Sequence, residues 1–335
     1  MKENTVHLSM PVRYAINSSL LLALLVLGNV LIAGGVLSGY VTKVLLVIGI
    51  NIILAVSLNV ATGYLGQLPL GHAGFMAVGA YTGGILLKTM EEPTAVGIVL
   101  ALLASGIMAG IFGILIGVPA LRLKGDYLAI ITLGFGEIIR VVLTNIDSVL
   151  GFKLTYGASG LKRIPKISDF TLVFLCVVLS CAVIHMVMKS CHGRAVISIR
   201  ENEIAAEACG IRVTYYKVMA FVLSAFFAGV AGCLYAGYIG SLQPGVFDFM
   251  KSIEILVMVV LGGMGSMLGS VLSAIVLTVL PEVLREFEDY RMVLYSLLLV
   301  LMMVFRPKGL LGMYDFSLSR WLEKGLTKWK GGRKA

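Results

Sequence analysis

The sequence predicts an all-α polytopic membrane protein with about 8–10 transmembrane segments, some of them glycine-broken or re-entrant. Hydrophobic residues make up 59% of the 335-residue chain and charged residues only 13%, whereas soluble domains contain about 25% charged residues. The apolar runs are continuous, which excludes a β-barrel because barrel strands alternate in segments of about 10 residues. The 39 glycines fit helices that pack closely in lipid.

Apolar runs follow one another along the chain. The first, residues 15–37, comes after Lys2 and Arg13, as in a signal peptide. It exceeds the usual apolar length of about 7–15 residues and no A-x-A site follows, so it is predicted to stay as an anchor. The later runs cover residues 41–60, 70–87, 95–118, 127–145, 171–188, 218–240, 253–280 and 292–305.

Positive charge is concentrated in two stretches between or after these runs. Residues 189–217 hold five basic and three acidic residues, and residues 306–335 hold eight basic and two acidic ones. Lys and Arg in short loops mark the cytoplasmic side of a membrane. Both stretches and both termini are therefore predicted in the cytoplasm, with 1–14 as an N-terminal segment, 15–312 as the membrane domain and 313–335 as a basic tail.

One loop disagrees with this topology. If the first six runs all cross, the turn with Arg122 and Lys124 is cytoplasmic, as the positive-inside rule prefers. The same count puts residues 151–167 outside, although they include the basic residues Lys153, Lys162, Arg163 and Lys166. Either this loop is large enough to escape the rule, or one run does not fully cross.

Two apolar runs are predicted to be broken. The run 253–280 contains Gly262, Gly263 and Gly265, and each glycine costs a helix about 1 kcal/mol. Residues 61–74 have a similar composition, with Pro69 removing a backbone donor. Non-helical backbone at membrane depth persists only inside protein or beside a cavity, which points to a transport path. Tight turns between short helices are the alternative.

Small residues also recur at helical spacing. Ala225, Gly229, Cys233 and Gly237 lie four residues apart, and glycine pairs at 106/110 and 113/117 repeat the pattern. Such stripes let helix backbones approach closely. We therefore expect them to face protein and not lipid.

Several catalytic and metal-binding patterns are missing from the sequence. It contains no G-x-x-x-x-G-K-[ST] phosphate-binding loop, its four histidines are scattered, and its five cysteines form no C-x-x-C. Glu137 is the one acid deep in an apolar run, and Arg140 follows three residues later on the same helix face. Their pair is either structural or part of a path. The chain is predicted not to be an enzyme, to bind no cofactor or metal, and to bind no nucleic acid.

The sequence resembles the LivM-type permease subunits of high-affinity branched-chain amino-acid ABC importers. The similarity covers about residues 45–312 and is specific in combination. It rests on the stretches Asn59–Tyr81, Gly125–Arg140 with Gly157–Gly160, Gly193–Gly232, and Leu261–Ser266 with Phe305–Leu311.

The resemblance implies a cytoplasmic helix that couples the permease to an ATPase. Such permeases carry a Glu-Ala-Ala motif followed after three residues by Gly, and Ala205, Ala206 and Gly210 fit that spacing, with Ile204 in the Glu position. Residues 201–209 favour a helix, and Gly210 suits its C-terminus. An ordinary loop helix is the alternative. The expected coupling residues are Glu201, Glu203, Ile204, Ala205, Ala206, Glu207 and Gly210.

The same resemblance implies a heterodimer with a second permease, two ATP-binding-cassette subunits that use the ATP, and a periplasmic or lipoprotein solute-binding protein. It also implies a location in a bacterial or archaeal cytoplasmic (inner) membrane, in contact with lipid, and Leu, Ile or Val as the expected cargo. The expected path residues are Gly63, Gly66, Gln67, Gly71, His72, Tyr81, Glu137, Ser224, Gly262, Gly263 and Gly265.

Two other functions remain open from the sequence. In the first, the same machine carries urea, a short amide or another small organic solute, and the ligand of the cognate binding protein distinguishes these. An ion-coupled carrier or a membrane-embedded enzyme is less favoured, because it would need more ionisable residues facing a cavity.

The missing phosphate-binding loop predicts that the chain is inactive alone. We expect it to co-purify with a second permease and two ATPases. Liposomes that contain only this chain should neither hydrolyse ATP nor take up substrate. ATP hydrolysis or uptake by the isolated chain would contradict the prediction.

Overall fold

A computed structural model describes residues 10–305, except 36, 91–92, 124, 152–154 and 168, together with Gly309. The predictions for residues 1–9 and for the tail 313–335, and those for Lys124 and Lys153, lie outside these residues. The α-helices are α1 Met10–Ala33, α2 Gly39–Asn59, α3 His72–Thr89, α4 Ala95–Ala120, α5 Asp126–Leu150, α6 Phe170–Lys189, α7 Cys191–Glu201, α8 Glu203–Ala208, α9 Val213–Ile239, α10 Phe249–Gly262, α11 Met267–Val283 and α12 Arg291–Phe305.

Short elements connect these helices. A π-helix, Val60–Tyr64, continues α2, and 3₁₀ turns cover Gly157–Ser159, Pro244–Phe247 and Leu284–Tyr290. Two strands of two residues each, β1 (Leu161–Lys162) and β2 (Ser241–Leu242), pair antiparallel with Leu161 opposite Leu242. The predicted all-α class is confirmed.

Within the described residues, six helical segments are long and apolar enough to cross a membrane. They are Gly39–Tyr64, Ala95–Ala120, Asp126–Ser148, Phe170–Lys189, Val213–Ile239 and Met267–Phe287. The predicted break in the run 253–280 is confirmed, because α10 ends at Gly262 and α11 begins at Met267. The chain forms two compact units, and the larger one is Lys43–Met313.

Small residues bring α3, α4 and α9 together at the centre of the larger unit. The backbones of Gly79 in α3 and Gly229 in α9 touch, and the other side of Gly229 contacts Ala109 and Ser105 of α4. All members of the predicted stripes, at 225, 229, 233 and 237 and at 106, 110, 113 and 117, are buried. The expectation that these stripes face protein is confirmed.

The described part of the loop 151–167 lies against the far end of α9. Ile164 and Ile167 donate backbone hydrogen bonds to Gly240 (3.1 Å) and Gly237 (2.9 Å). The polar residues 189–212 precede the start of α9, whose 27 residues extend about 40 Å. The loop and the polar segment therefore lie at opposite ends of α9, as the count of crossing segments predicts.

Gly229 provides a test of this close packing. A methyl group there would lie 2.5 Å from Cβ of Ala109 and from the carbonyl oxygen of Ser105, whereas one at Gly134 in α5 would meet nothing within 4 Å. We expect Gly229→Ala to lower the free energy of unfolding by about 1–3 kcal/mol and Gly229→Leu to impair assembly. Thermal unfolding in detergent measures this, with Gly134→Ala as control. Equal stability of the two alanine variants would contradict the expectation.

Candidate functional site

The predicted coupling segment forms a separate short helix, α8. The prediction of one helix over 201–209 is wrong in its start, because Asn202 is extended and separates α7 from α8. The Asn202 side chain accepts a hydrogen bond from the backbone N–H of Ala205 at 3.0 Å, which caps α8. At the other end Gly210 has φ +81°, so glycine ends this segment as predicted.

Only one side of α8 is available to a partner. Ile204 is 78% exposed, while Ala206 is 4% exposed and packs inside this chain. Ala205, Glu207 and Gly210 are exposed. Ala206, one of the expected coupling residues, therefore faces the rest of this chain and not a partner, because packing decides which side of so short a helix is buried.

A buried cation holds α8 against α9. Nζ of Lys217 in α9 lies 2.9 Å from Oε1 of Glu203, and the Lys217 side chain is only 6% exposed. The backbone N–H of Ile211 also donates to the carbonyl of Ala206 at 3.1 Å. Glu203 thus forms an internal ion pair. Glu207, and Glu201 with 67% of its side chain exposed, are the acids of this segment that face outward.

The two glycine-broken segments touch each other. A methyl group at Gly63 would collide with the backbone N of Gly265 and with Oδ1 of Asn59. The Asn59 side chain accepts from the backbone N–H of Gly265 at 2.9 Å and donates to the carbonyl of Ser266 at 3.2 Å. Backbone groups released by the second break are thus satisfied by a side chain at the first, as a membrane interior requires.

The turn between α10 and α11 is made by closely packed glycines. Gly263 and Gly265 have φ of +104° and +88°, a region that L side chains rarely adopt. Gly262 lies against Gly269, and Gly309 lies against Gly263. Sequence reasoning found these glycines but missed Asn59, whose signal was an amide inside an apolar run a few residues before Gly63.

The start of α3 joins several of the predicted path residues. The backbone of Gly71 touches that of Thr132 in α5. His72 is 1% exposed, and its Nε2 lies 3.0 Å from Oγ of Ser57. Ser224 is also buried, at 2%. Of this set, the structure therefore holds His72 and Ser224 inside the helix bundle, away from solvent.

Two other predicted path residues carry polar atoms without a partner. The hydroxyl of Tyr81 and Oε1 of Gln67 are buried and have no hydrogen-bond partner within the described part of the chain. The Tyr81 ring packs edge-on against Phe247 at 6.3 Å, and Phe247 in turn contacts Tyr235 at 6.0 Å. Gly66, by contrast, is exposed and lies against the side chain of Arg200.

Two ion pairs lie beside the start of α3. The predicted pair between Glu137 and Arg140 is confirmed at 2.7 Å, with each side chain about one-third exposed. A second pair joins Lys251 to Glu254 at 2.9 Å, and the sequence analysis did not predict it. Gly136 contacts the α3 start at Gly74, and the backbone N–H of Ala73 donates to Oγ of Ser252 at 3.1 Å. Both pairs therefore adjoin the same turn.

The ion pair between Lys217 and Glu203 predicts an asymmetric mutational response. Glu203→Gln leaves a buried ammonium without its carboxylate, which we expect to lower the free energy of unfolding by about 3 kcal/mol. Lys217→Met leaves Glu203 able to recruit water, at a cost of under about 1 kcal/mol. Thermal unfolding of both variants in detergent measures the difference. A larger loss of unfolding free energy for Lys217→Met than for Glu203→Gln would contradict the expectation that burial of the ammonium group sets the cost.

The chain is similar to known transport proteins. Residues 40–305 match the family described as "Branched-chain amino acid transport system / permease component". The chain is 40% identical over 298 residues to the high-affinity branched-chain amino acid transport system permease protein LivM of Escherichia coli, covering 79% of this chain and 68% of LivM.

Two further relatives carry related names. The corresponding permease BraD of Pseudomonas aeruginosa is 25% identical over 282 residues, 78% of this chain and 91% of BraD. LivH of Salmonella typhimurium is 30% identical over 122 residues, 36% of this chain and 39% of LivH. No solved structure matches the chain. The family match and the LivM identity show that this multi-pass membrane protein belongs to the permease components of branched-chain amino acid transport systems.

Proposed function

We propose that this chain is the transmembrane permease subunit of an ABC importer that, with a second permease, forms a path for Leu, Ile or Val delivered by a solute-binding protein. Two ATPase subunits supply the ATP hydrolysis, and this chain itself binds no cofactor and performs no chemistry. The relatives are named as branched-chain amino acid permeases, which supports the cargo and the presence of a second permease.

The observation that carries the proposal is the shape and placement of α8. This short helix precedes the start of α9. Its inner side is anchored by Lys217 and Ala206, and its outer side presents Ile204, which is 78% exposed. Ala205 and Glu207 are exposed on the same short helix, so a partner can contact α8 without disturbing the packing inside this chain. A rigid helix transmits movement from an ATPase cleft, whereas a loose loop would absorb it.

The proposed path runs along the surface where α5 and α10 meet the start of α3. Both ion pairs there are partly exposed, and charged groups in apolar segments face other protein or water and not lipid. An amino acid carries an ammonium and a carboxylate, so these pairs can exchange partners with it while its aliphatic side chain contacts apolar residues. The second permease closes the other side.

The position of the polar segment and of the loop 151–167 at opposite ends of α9 supports the orientation that we propose. The polar segment 189–212 and the start of α9 face the cytoplasm, where ATP is available, and the loop with β1 faces the solute-binding protein. Both termini are then cytoplasmic, in a bacterial or archaeal inner membrane. Switching between inward-open and outward-open populations follows from ATP binding and hydrolysis, because each state binds the ATPases differently.

The exposed side of α8 gives the test of this proposal. We expect Ile204→Asp, or Ala205→Trp, to lower ATP-dependent uptake by about tenfold or more, since each spoils a contact with the ATPase without burying anything inside this chain. Uptake in proteoliposomes of the full complex measures this. The substitution Ala206→Trp is unsuitable, because Ala206 packs internally.

A cross-link completes the test. Ala205→Cys should form a disulfide with a cysteine on an ATPase surface, and the exposed Arg122→Trp on another turn at the same end serves as the bulky control with normal uptake. Normal transport by both α8 variants, together with no cross-link across a panel of ATPase positions, would refute the proposed coupling role.

A further inference from the structure

We propose that Arg200 is the positioning residue that carries movement of α8 to both glycine-broken segments. The inference rests on the proposed function, in which α8 contacts an ATPase. Arg200 lies in the last turn of α7, two residues before the Asn202 cap of α8. Its side chain therefore moves with the beginning of α8.

The guanidinium of Arg200 reaches the first break directly. Its Nη1 donates a hydrogen bond of 2.7 Å to the backbone carbonyl of Gly63, in the π-helix that continues α2. The aliphatic part of the same side chain lies against Gly66, where a methyl group would be 2.6 Å from Cγ of Arg200. The Arg200 side chain thus contacts both the π-helix and the non-helical stretch that leads to α3.

The same guanidinium also touches the second break. A methyl group at Gly265 would lie 3.1 Å from Nη1 of Arg200 and 3.4 Å from the carbonyl oxygen of Gly63. Asn59 then joins Gly265 back to α2 through its 2.9 Å hydrogen bond. Arg200 is therefore placed where the end of α2, the turn between α10 and α11 and the coupling segment meet.

Glu201 holds the guanidinium in this position. Nη2 and Nε of Arg200 donate to Oε1 of Glu201 at 2.7 and 3.2 Å. The planar fork of arginine can serve the carboxylate and the carbonyl of Gly63 at once. Glu201 is largely exposed and its ion pair is weak, whereas the bond from a charged donor to a carbonyl in the protein is stronger. A displacement of α8 would therefore pull on Gly63 before that bond breaks.

The position of α7 does not depend on this contact. Val196 and Ile199 of α7 are 0% and 5% exposed, and Gly193 packs against the backbone of Met188 at the end of α6. These apolar contacts hold α7 when Arg200 is replaced. Removal of the arginine should thus leave folding and assembly intact while it disconnects α8 from the broken segments.

The test compares variants of the complete transporter, this chain with its second permease and two ATPases, in proteoliposomes. We expect Arg200→Ala to lower the amount of substrate taken up per ATP hydrolysed by about tenfold, the scale of a typical coupling between sites. Arg200→Lys keeps one charged donor for Gly63 and should recover part of the ratio. The matched control is Arg194→Ala, because Arg194 is an exposed arginine of the same helix.

The amount of substrate taken up per ATP hydrolysed distinguishes a role of Arg200 in transmitting movement from a purely structural role. A variant that merely misfolds loses hydrolysis and uptake in proportion, and that result would overturn the inference, as would an unchanged ratio in Arg200→Ala. If Arg200→Ala does not assemble, the decision falls to Arg200→Lys, whose ratio must be lower than that of Arg194→Ala. An equal ratio in these two variants would also overturn it.

The cross-link at Ala205 distinguishes this inference from the proposed function. If the cross-link to the ATPase forms and the ratio of Arg200→Ala is normal, the proposed function stands and the role of Arg200 is refuted. If no cross-link forms and the α8 variants transport normally, the proposed function fails and the inference fails with it. A cross-link together with a lowered ratio supports both.

Discussion

The constraint on which this molecule depends is that broken helices inside a membrane must have their backbone groups satisfied by other parts of the protein. The chain meets this constraint by placing its two breaks against each other. Asn59 bonds both the N–H of Gly265 and the carbonyl of Ser266, and Gly63 is small enough for the two backbones to touch. Each break thus stabilises the other.

That arrangement explains how a transport protein can be both stable and mobile. The centre of α3, α4 and α9 is packed through glycine and alanine with little free space, which favours a rigid bundle. The breaks are joined by a few polar contacts, among them the bonds of Asn59 and Arg200 to backbone groups. Such contacts are easier to exchange than a packed core, so a conformational change is expected to concentrate there.

The ion pairs at the end of the bundle and those beside the start of α3 differ in burial and in role. At the end of the bundle, Lys217 is buried and fixes Glu203 and with it α8. Beside the start of α3, the pairs of Glu137 with Arg140 and of Lys251 with Glu254 are partly exposed. The first kind of pair positions a helix. The second kind remains accessible and suits a path for a solute that carries both charges.

Much of the fold and part of the site followed from composition and spacing. Four features depend on residues close in sequence: the long apolar runs, the break near Gly263, the pair of Glu137 with Arg140 and the glycine that follows α8. Helix periodicity and glycine's backbone freedom act over a few residues, so a sequence displays them directly. The small-residue stripes were also predicted, because close packing in lipid requires small side chains wherever it occurs.

The sequence by itself determined a helical membrane protein with two broken segments and a polar segment between two spans, and its motifs indicated the permease family. Only the tertiary structure decided that Ala206 faces inward and Ile204 outward, that Lys217 pairs with Glu203, and that Arg200 reaches Gly63 from 137 positions along the chain. These facts depend on how helices distant in sequence pack together, and no local pattern encodes which side of a helix meets which neighbour.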